Sequence, residues 1–225
     1  MRDASSRQCA AANASSLDYF DVLLFLIAAT LLPLTLELFV MLGWTARASL
    51  VRPPLGFQAG GILALLAALA LIVKVRHQRP VARELGWIWP GSKFMALAVV
   101  AGAVMAAAVA WVAAGRYPLV PRIDWRVGIP LAVAFGPALE ESFFRGCLLP
   151  VVERAWGLPA AVILTSLLFG ALHSPSDLLH YACLALSGVA YAGMRVASRS
   201  TAAAALMHSA YNLALLTWPR VWLGR

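Results

Sequence analysis

The sequence predicts an all-α protein: a polytopic transmembrane helical bundle of about seven spans around a conical or funnel-like cavity within the membrane. Three observations carry that reading. First, 62% of the 225 residues are hydrophobic and only 12% charged, whereas soluble domains average about 45–50% apolar and about 25% charged; mean hydropathy is +0.80. Second, apolar stretches approaching the ~20 residues that a helix needs to cross the hydrocarbon core recur along the chain. Third, ionisable residues fall inside several of those stretches, where their cost demands a reason.

The apolar stretches give seven predicted spans: 21–42, 57–75, 94–114, 127–149, 158–173, 178–196 and 201–218. The fifth and sixth are separated by Ser174-Pro175-Ser176-Asp177 and have the character of tilted or partly re-entrant helices. Arg52-Pro53-Pro54 opens the second span and Trp89-Pro90-Gly91-Ser92 the third. Trp87, Trp89, Trp111, Trp125, Trp156 and Trp218 lie near predicted ends, as interfacial aromatics do. Residues 1–16 are small and polar without an apolar core, which predicts a disordered tail rather than a cleaved signal peptide. The first span, with Pro33 and Glu37, is too long for a signal core and reads as a retained helix. With no repeat and no linker, residues 17–225 form one expected domain.

The net charge of +8 does not indicate nucleic acid. The basic residues sit in short loops between apolar stretches, where anionic headgroups and the cytoplasmic face favour them. Ten basic residues on the side holding the N-terminus, against seven on the other, lean towards a cytoplasmic N-terminus and an external C-terminus. Cys9, Cys147 and Cys183 lack metal-binding spacing and are expected as packed thiols, with no structural disulfide.

The chemistry lies within the spans. The fourth holds Glu140, Glu141 and Arg145, the fifth ends on His173, and the seventh holds His208 and Asn212. Glu141 and Arg145 are four apart with the acid first, the favourable order for an ion pair on one helix face. Glu140 points about 100° away from Glu141 around a helix, which leaves it the unpaired acid. Burial raises a carboxyl's pKa towards the working pH, which suits a general base. His208 and Asn212 are also four apart, so an imidazole and an amide face one way as candidate donors to a developing oxyanion. Gly136-Pro137 should kink the fourth helix and free backbone groups near these residues.

Glu140-Glu141-Ser142-Phe143-Phe144-Arg145, Phe169-Gly170-Ala171-Leu172-His173 and His208-Ser209-Ala210-Tyr211-Asn212 resemble the EExxxR, FxxxH and HxxxN motifs of the CPBP family. That family includes the type 2 CAAX prenyl proteases and bacteriocin-processing membrane proteases. Each motif alone is weak; three in order, in separate spans, are specific. The resemblance covers residues 127–215. It implies an intramembrane endopeptidase whose cavity is catalytic: Glu140 activates water with help from His173, His208 and Asn212 stabilise the oxyanion, and Glu141 and Arg145 support the site. Phe143, Phe144 and Phe169 either pack the interior or line a substrate groove.

Metal-free glutamate catalysis is the preferred expectation, with no cofactor; two histidines and two glutamates leave zinc as the alternative, although no HExxH is present and Asn is an unusual zinc ligand. The expected partners are the lipid bilayer and a membrane-anchored protein or peptide substrate. The compact chain suggests a multi-pass protein of the bacterial inner membrane. A non-enzymatic immunity or scaffold protein of the same fold has no need of the complete motifs, and a transporter with a Glu/His relay predicts inverted repeats, which the sequence lacks. His77 and His180 are read as surface or packing residues, and Glu37 as a group paired near the membrane surface.

Overall fold

The computed structural model describes residues 16–41, 55–112, 128–173 and 175–222; for 32–41, 55–59, 128 and 218–222 it describes the backbone alone. Cys9, the side chain of Glu37, nearly all of the predicted tail and the loops that carry Arg47, Arg52, Arg116, Arg122 and Arg126 lie outside these limits. The described chain is mainly helical: α1 (Tyr19–Met41), α2 (Leu55–His77), the short α3 (Val81–Glu84), α4 (Ser92–Val112), then a long helical run kinked at Gly157, then α8 (Leu178–Ser198) and α9 (Thr201–Trp222). The run consists of α5 (Gly128–Pro130), π1 (Leu131–Phe135), α6 (Gly136–Glu141), π2 (Ser142–Leu148) and α7 (Leu149–Leu172).

Helices therefore occupy all seven predicted spans, as the bilayer requires of a backbone that must satisfy its own hydrogen bonds. Among the described residues, Gly60–His77, Ser92–Val112 and the 42-residue run Leu131–Leu172 are long and apolar enough to cross a membrane. The described apolar part of α1, Tyr19–Leu31, is shorter. Exposed side chains such as Leu71, Val75, Val104 and Trp111 give the bundle an apolar exterior. This is an integral membrane protein.

One boundary differs from the sequence reading. The residues between the predicted fourth and fifth spans form no loop; they continue the helix, and the bend falls at one residue, Gly157, whose φ of 79° suits glycine and few others. Pro159 follows it. Residues 175–177 do lie between two helices, and Asp177 caps α8 by accepting a hydrogen bond from the His180 amide.

The most extensive helix–helix packing among the described residues is that of α4 against α9. Ala98, Gly102, Ala106 and Ala110 recur every four residues and are all buried, giving the small-residue stripe that lets membrane helices approach without a hydrophobic driving force. At Gly102 the approach is extreme: a Cβ there would lie 2.3 Å from the carbonyl oxygen of Met207. That carbonyl belongs to the residue before His208, so the stripe sets the depth of the site.

At one end of the bundle a polar clasp holds the start of α1. Asp21, fully buried, meets Arg76 and the Nε2 of His77. Asp18 pairs with Arg76 at 3.1 Å, and the Ser16 amide donates to Glu84 at 3.0 Å. His77 thus lies in this network rather than free on a surface. The turn that follows α3 docks on π2: a Cβ on Gly146 would meet the Leu85 carbonyl at 2.7 Å, and Trp87 Nε1 donates to Ser142 Oγ at 2.9 Å.

Candidate active site

Two π-helical stretches flank the glutamates, and the prolines explain one of them. In π1 the Gly136 N–H bonds the carbonyl of Leu131, five residues back. The next residue, Pro137, has no N–H, so the corresponding carbonyl, Ala132, has lost its backbone donor. Asn212 Nδ2 on α9 donates to that oxygen at 2.7 Å. The Gly136-Pro137 pair therefore does release a backbone group beside the site, and a side chain from another helix takes it up. Wide turns of this kind are characteristic of functional sites.

The two adjacent carboxylates meet different partners. Glu141 is fully buried; its Oε1 receives Arg145 Nη1 at 3.1 Å and lies 3.0 Å from His208 Nδ1. Arg145 is also fully buried. Its Nη2 donates to the Gly188 carbonyl at 2.7 Å, and its guanidinium lies over the rings of Phe144, Phe169 and Tyr191 at 5.5, 4.9 and 5.4 Å, contacts that help to hold a desolvated cation.

Glu140 makes no ion pair with Arg145 and faces the two imidazoles instead. Its Oε2 lies 3.3 Å from His173 Nε2 and 4.0 Å from His208 Nε2. The approach to His173 is close but poorly aligned, so Oε2 holds no formed hydrogen bond among the described residues. The Glu140 and His173 side chains are each 31% exposed, although Glu140 Oε2 itself is buried, while the His208 side chain is 6% exposed. The site is thus open on the Glu140–His173 side and closed behind His208.

Both imidazoles are held from behind. His173 Nδ1 lies 2.7 Å from the Phe169 carbonyl, an oxygen that only accepts, so Nδ1 carries the proton and Nε2 is left as an acceptor in the neutral ring. His208 presents Nδ1 to a carboxylate that also only accepts, so its Nε2 carries a proton only in the imidazolium form. Phe169 packs at 4.3 Å from the His173 ring and 5.8 Å from the His208 ring. Phe143, Phe144 and Phe169 are all buried and form an edge-to-face chain with centroid spacings of 5.1 and 5.2 Å; Phe25 of α1 stacks on Phe143 at 4.5 Å.

Glu140, Glu141, Arg145, His173, His208 and Asn212 thus converge from three consecutive segments, α6, π2 and the C-terminal end of α7, and from α9. Three further groups could not be picked out from the sequence: the Ala132 carbonyl, Trp87 with Ser142, and Tyr191, whose ring stacks on His208 at 4.5 Å and 16°. Nothing in the spacing of Tyr191 marks it; the proline at 137 was the one available signal for Ala132.

The fold and this constellation define an integral membrane protein with a buried carboxylate–imidazole centre. Residues 122–214 match the family model described as type II CAAX prenyl endopeptidase Rce1-like, a membrane protease family that agrees with the resemblance read from the three motifs. The matched stretch contains every candidate site residue. No curated protein and no solved structure matches the chain.

Proposed function

We propose that the protein is a glutamate-dependent intramembrane endopeptidase that cuts a membrane-anchored protein or peptide near the bilayer. The observation that carries the reading is the division of labour between neighbouring acids. Arg145 and His208 occupy Glu141, whereas Glu140, one residue earlier, faces two imidazole Nε2 atoms without a formed hydrogen bond.

In this mechanism a water between Glu140 and His173 gives its proton to the Glu140 carboxylate as it attacks the scissile carbonyl carbon. His173 Nε2 orients the water by accepting its second hydrogen bond. The carbonyl oxygen becomes an oxyanion, and His208 as imidazolium and the second N–H of Asn212 donate to it. One Asn212 hydrogen is already committed to Ala132, which fixes the direction of the other. Collapse of the tetrahedral intermediate then breaks the C–N bond, and the proton on Glu140 passes to the leaving amine. Glu141 shared between Arg145 and His208 supports the imidazolium. With His173 neutral, the two acids and two cations sum to zero charge, which suits a site of low dielectric.

No metal enters this scheme. Glu140 Oε2 lies 3.3 Å from His173 Nε2 and 4.0 Å from His208 Nε2, so one water can touch the carboxylate and an imidazole at once.

The test is hydrolysis of an internally quenched farnesylated CAAX peptide, with its unprenylated twin, by the protein in proteoliposomes containing strong chelator and H₂¹⁸O. Cleavage with one ¹⁸O in the new carboxyl group is expected, because water is the nucleophile. Failure to cleave either peptide, or cleavage abolished by chelator and restored by zinc, would contradict the proposal.

A further inference from the structure

We propose that Tyr191 is a positioning residue for His208, acting through the face of its ring and not through its hydroxyl. The inference rests on the protease reading above and extends it to a side chain outside the three motifs.

His208 must present Nε2 towards Glu140, and an imidazole free to turn about its side-chain bonds would sample other directions. Two contacts restrict it. Glu141 Oε1 engages Nδ1 at 3.0 Å, but a single hydrogen bond still allows the ring plane to rotate about the N–H···O axis. The Tyr191 ring removes that freedom: it lies nearly parallel to the imidazole, 16° between planes and 4.5 Å between centroids. The edge of Phe169 at 5.8 Å and 72° adds a further wall. A flat aromatic face beneath a flat cation is also favourable electrostatically.

The hydroxyl has no part in this. Tyr191 is 1% exposed, and its hydroxyl has no hydrogen-bond partner among the described residues. A buried hydroxyl without a partner destabilises. The contact with His208 is therefore made by the ring alone. The ring itself is held in place: it meets Phe169 at 6.0 Å and Tyr211 at 6.3 Å, both edge-on, and the Arg145 guanidinium lies over it at 5.4 Å. Tyr191 thus touches both cations that Glu141 holds, which makes it the wall that sets their relative orientation.

The experiment compares Tyr191→Phe, Tyr191→Leu and Tyr191→Met with the unaltered protein and with Glu140→Gln. It measures kcat and KM on the quenched farnesylated peptide, and melting temperature. Tyr191→Leu is expected to lower kcat about 10- to 100-fold, the scale of a misplacement of about 1 Å at a catalytic group, with KM within about twofold of the original. Tyr191→Phe is expected to restore most of that loss and to melt no lower than the original protein. Tyr191→Met keeps the volume without the flat face, so it should resemble leucine in kcat even if leucine fails to fold. A purely structural role would lower the melting temperature of the leucine and methionine variants while each folded molecule kept its original kcat. That outcome would overturn the inference, as would Tyr191→Phe losing as much kcat as Tyr191→Leu. Turnover by Glu140→Gln at the original rate would instead overturn the protease reading itself. Fast Tyr191→Met beside inactive Glu140→Gln would overturn the positioning role alone.

Discussion

Asn212 donates its side-chain amide to the carbonyl of Ala132 at 2.7 Å, and that carbonyl is the one left without a backbone donor by Pro137. Loss of the amide should strand a buried acceptor, at a cost of about 1–3 kcal/mol. Asn212→Ala is therefore expected to melt lower and to lose activity. Pro137→Ala restores an N–H at the position that would serve Ala132, so the double variant is expected to recover stability without recovering activity. A double variant no more stable than Asn212→Ala would show that the two sites do not share this oxygen.

Glu141 and Arg145 are both fully buried and lie 3.1 Å apart. Removing either partner leaves an uncompensated buried charge, worth about 3–5 kcal/mol. Glu141→Gln and Arg145→Met are each expected to destabilise the protein in detergent, and the double variant to lose much less than the two losses combined. Strictly additive losses would contradict the pairing.

Gly102 leaves 2.3 Å between its would-be Cβ and the Met207 carbonyl. Gly102→Ala must push α4 and α9 apart, at an overpacking cost of about 1–3 kcal/mol, and shift His208 with them. Lower melting temperature and lower kcat are expected together. Unchanged values of both would mean that the two helices slide freely at this point.

The clasp at the start of α1 carries a pH dependence. Arg76, hydrogen-bonded to Asp18, holds the Asp18 carboxyl down at about 2, against an ordinary value of 3.8. Since the folded value lies below the unfolded one, this contribution is complete above about pH 4 and fades as pH falls towards 2. Asp18 is 51% exposed, so solvent screening keeps the gain to at most about 1 kcal/mol. Asp18→Asn is expected to melt slightly lower above about pH 4 and to show a flatter acid limb between about pH 4 and 2, where the two proteins converge; an identical acid limb in the variant would exclude the contribution.

The class of fold was legible because hydrocarbon imposes a simple pattern: long apolar runs, broken by Arg-Pro-Pro, Trp-Pro-Gly-Ser and Ser-Pro-Ser-Asp. Span lengths alone could not show that 150–156 continues the helix, since Arg154 and Trp156 suit an interface as well as a bend, and only the positive φ at Gly157 locates the break. The membership of the site could be read from acids and imidazoles that apolar helices do not carry without a reason. Its internal wiring could not. Helical geometry separates Glu140 from Glu141, but it does not say that His208 turns Nδ1 to Glu141, that Asn212 reaches a carbonyl in π1, or that Tyr191 backs the imidazole. Those contacts join helices far apart in sequence, and only packing creates them.

The role of Glu140 is tested most directly by kcat of Glu140→Gln on the quenched farnesylated peptide, in protein shown by melting temperature to be folded. Glutamine keeps the shape and loses the ability to take a proton. Loss of at least about 100-fold in kcat, the lower range of general-base contributions, with melting temperature held, is the expected result. A folded Glu140→Gln protein that turns over at the original rate would contradict it.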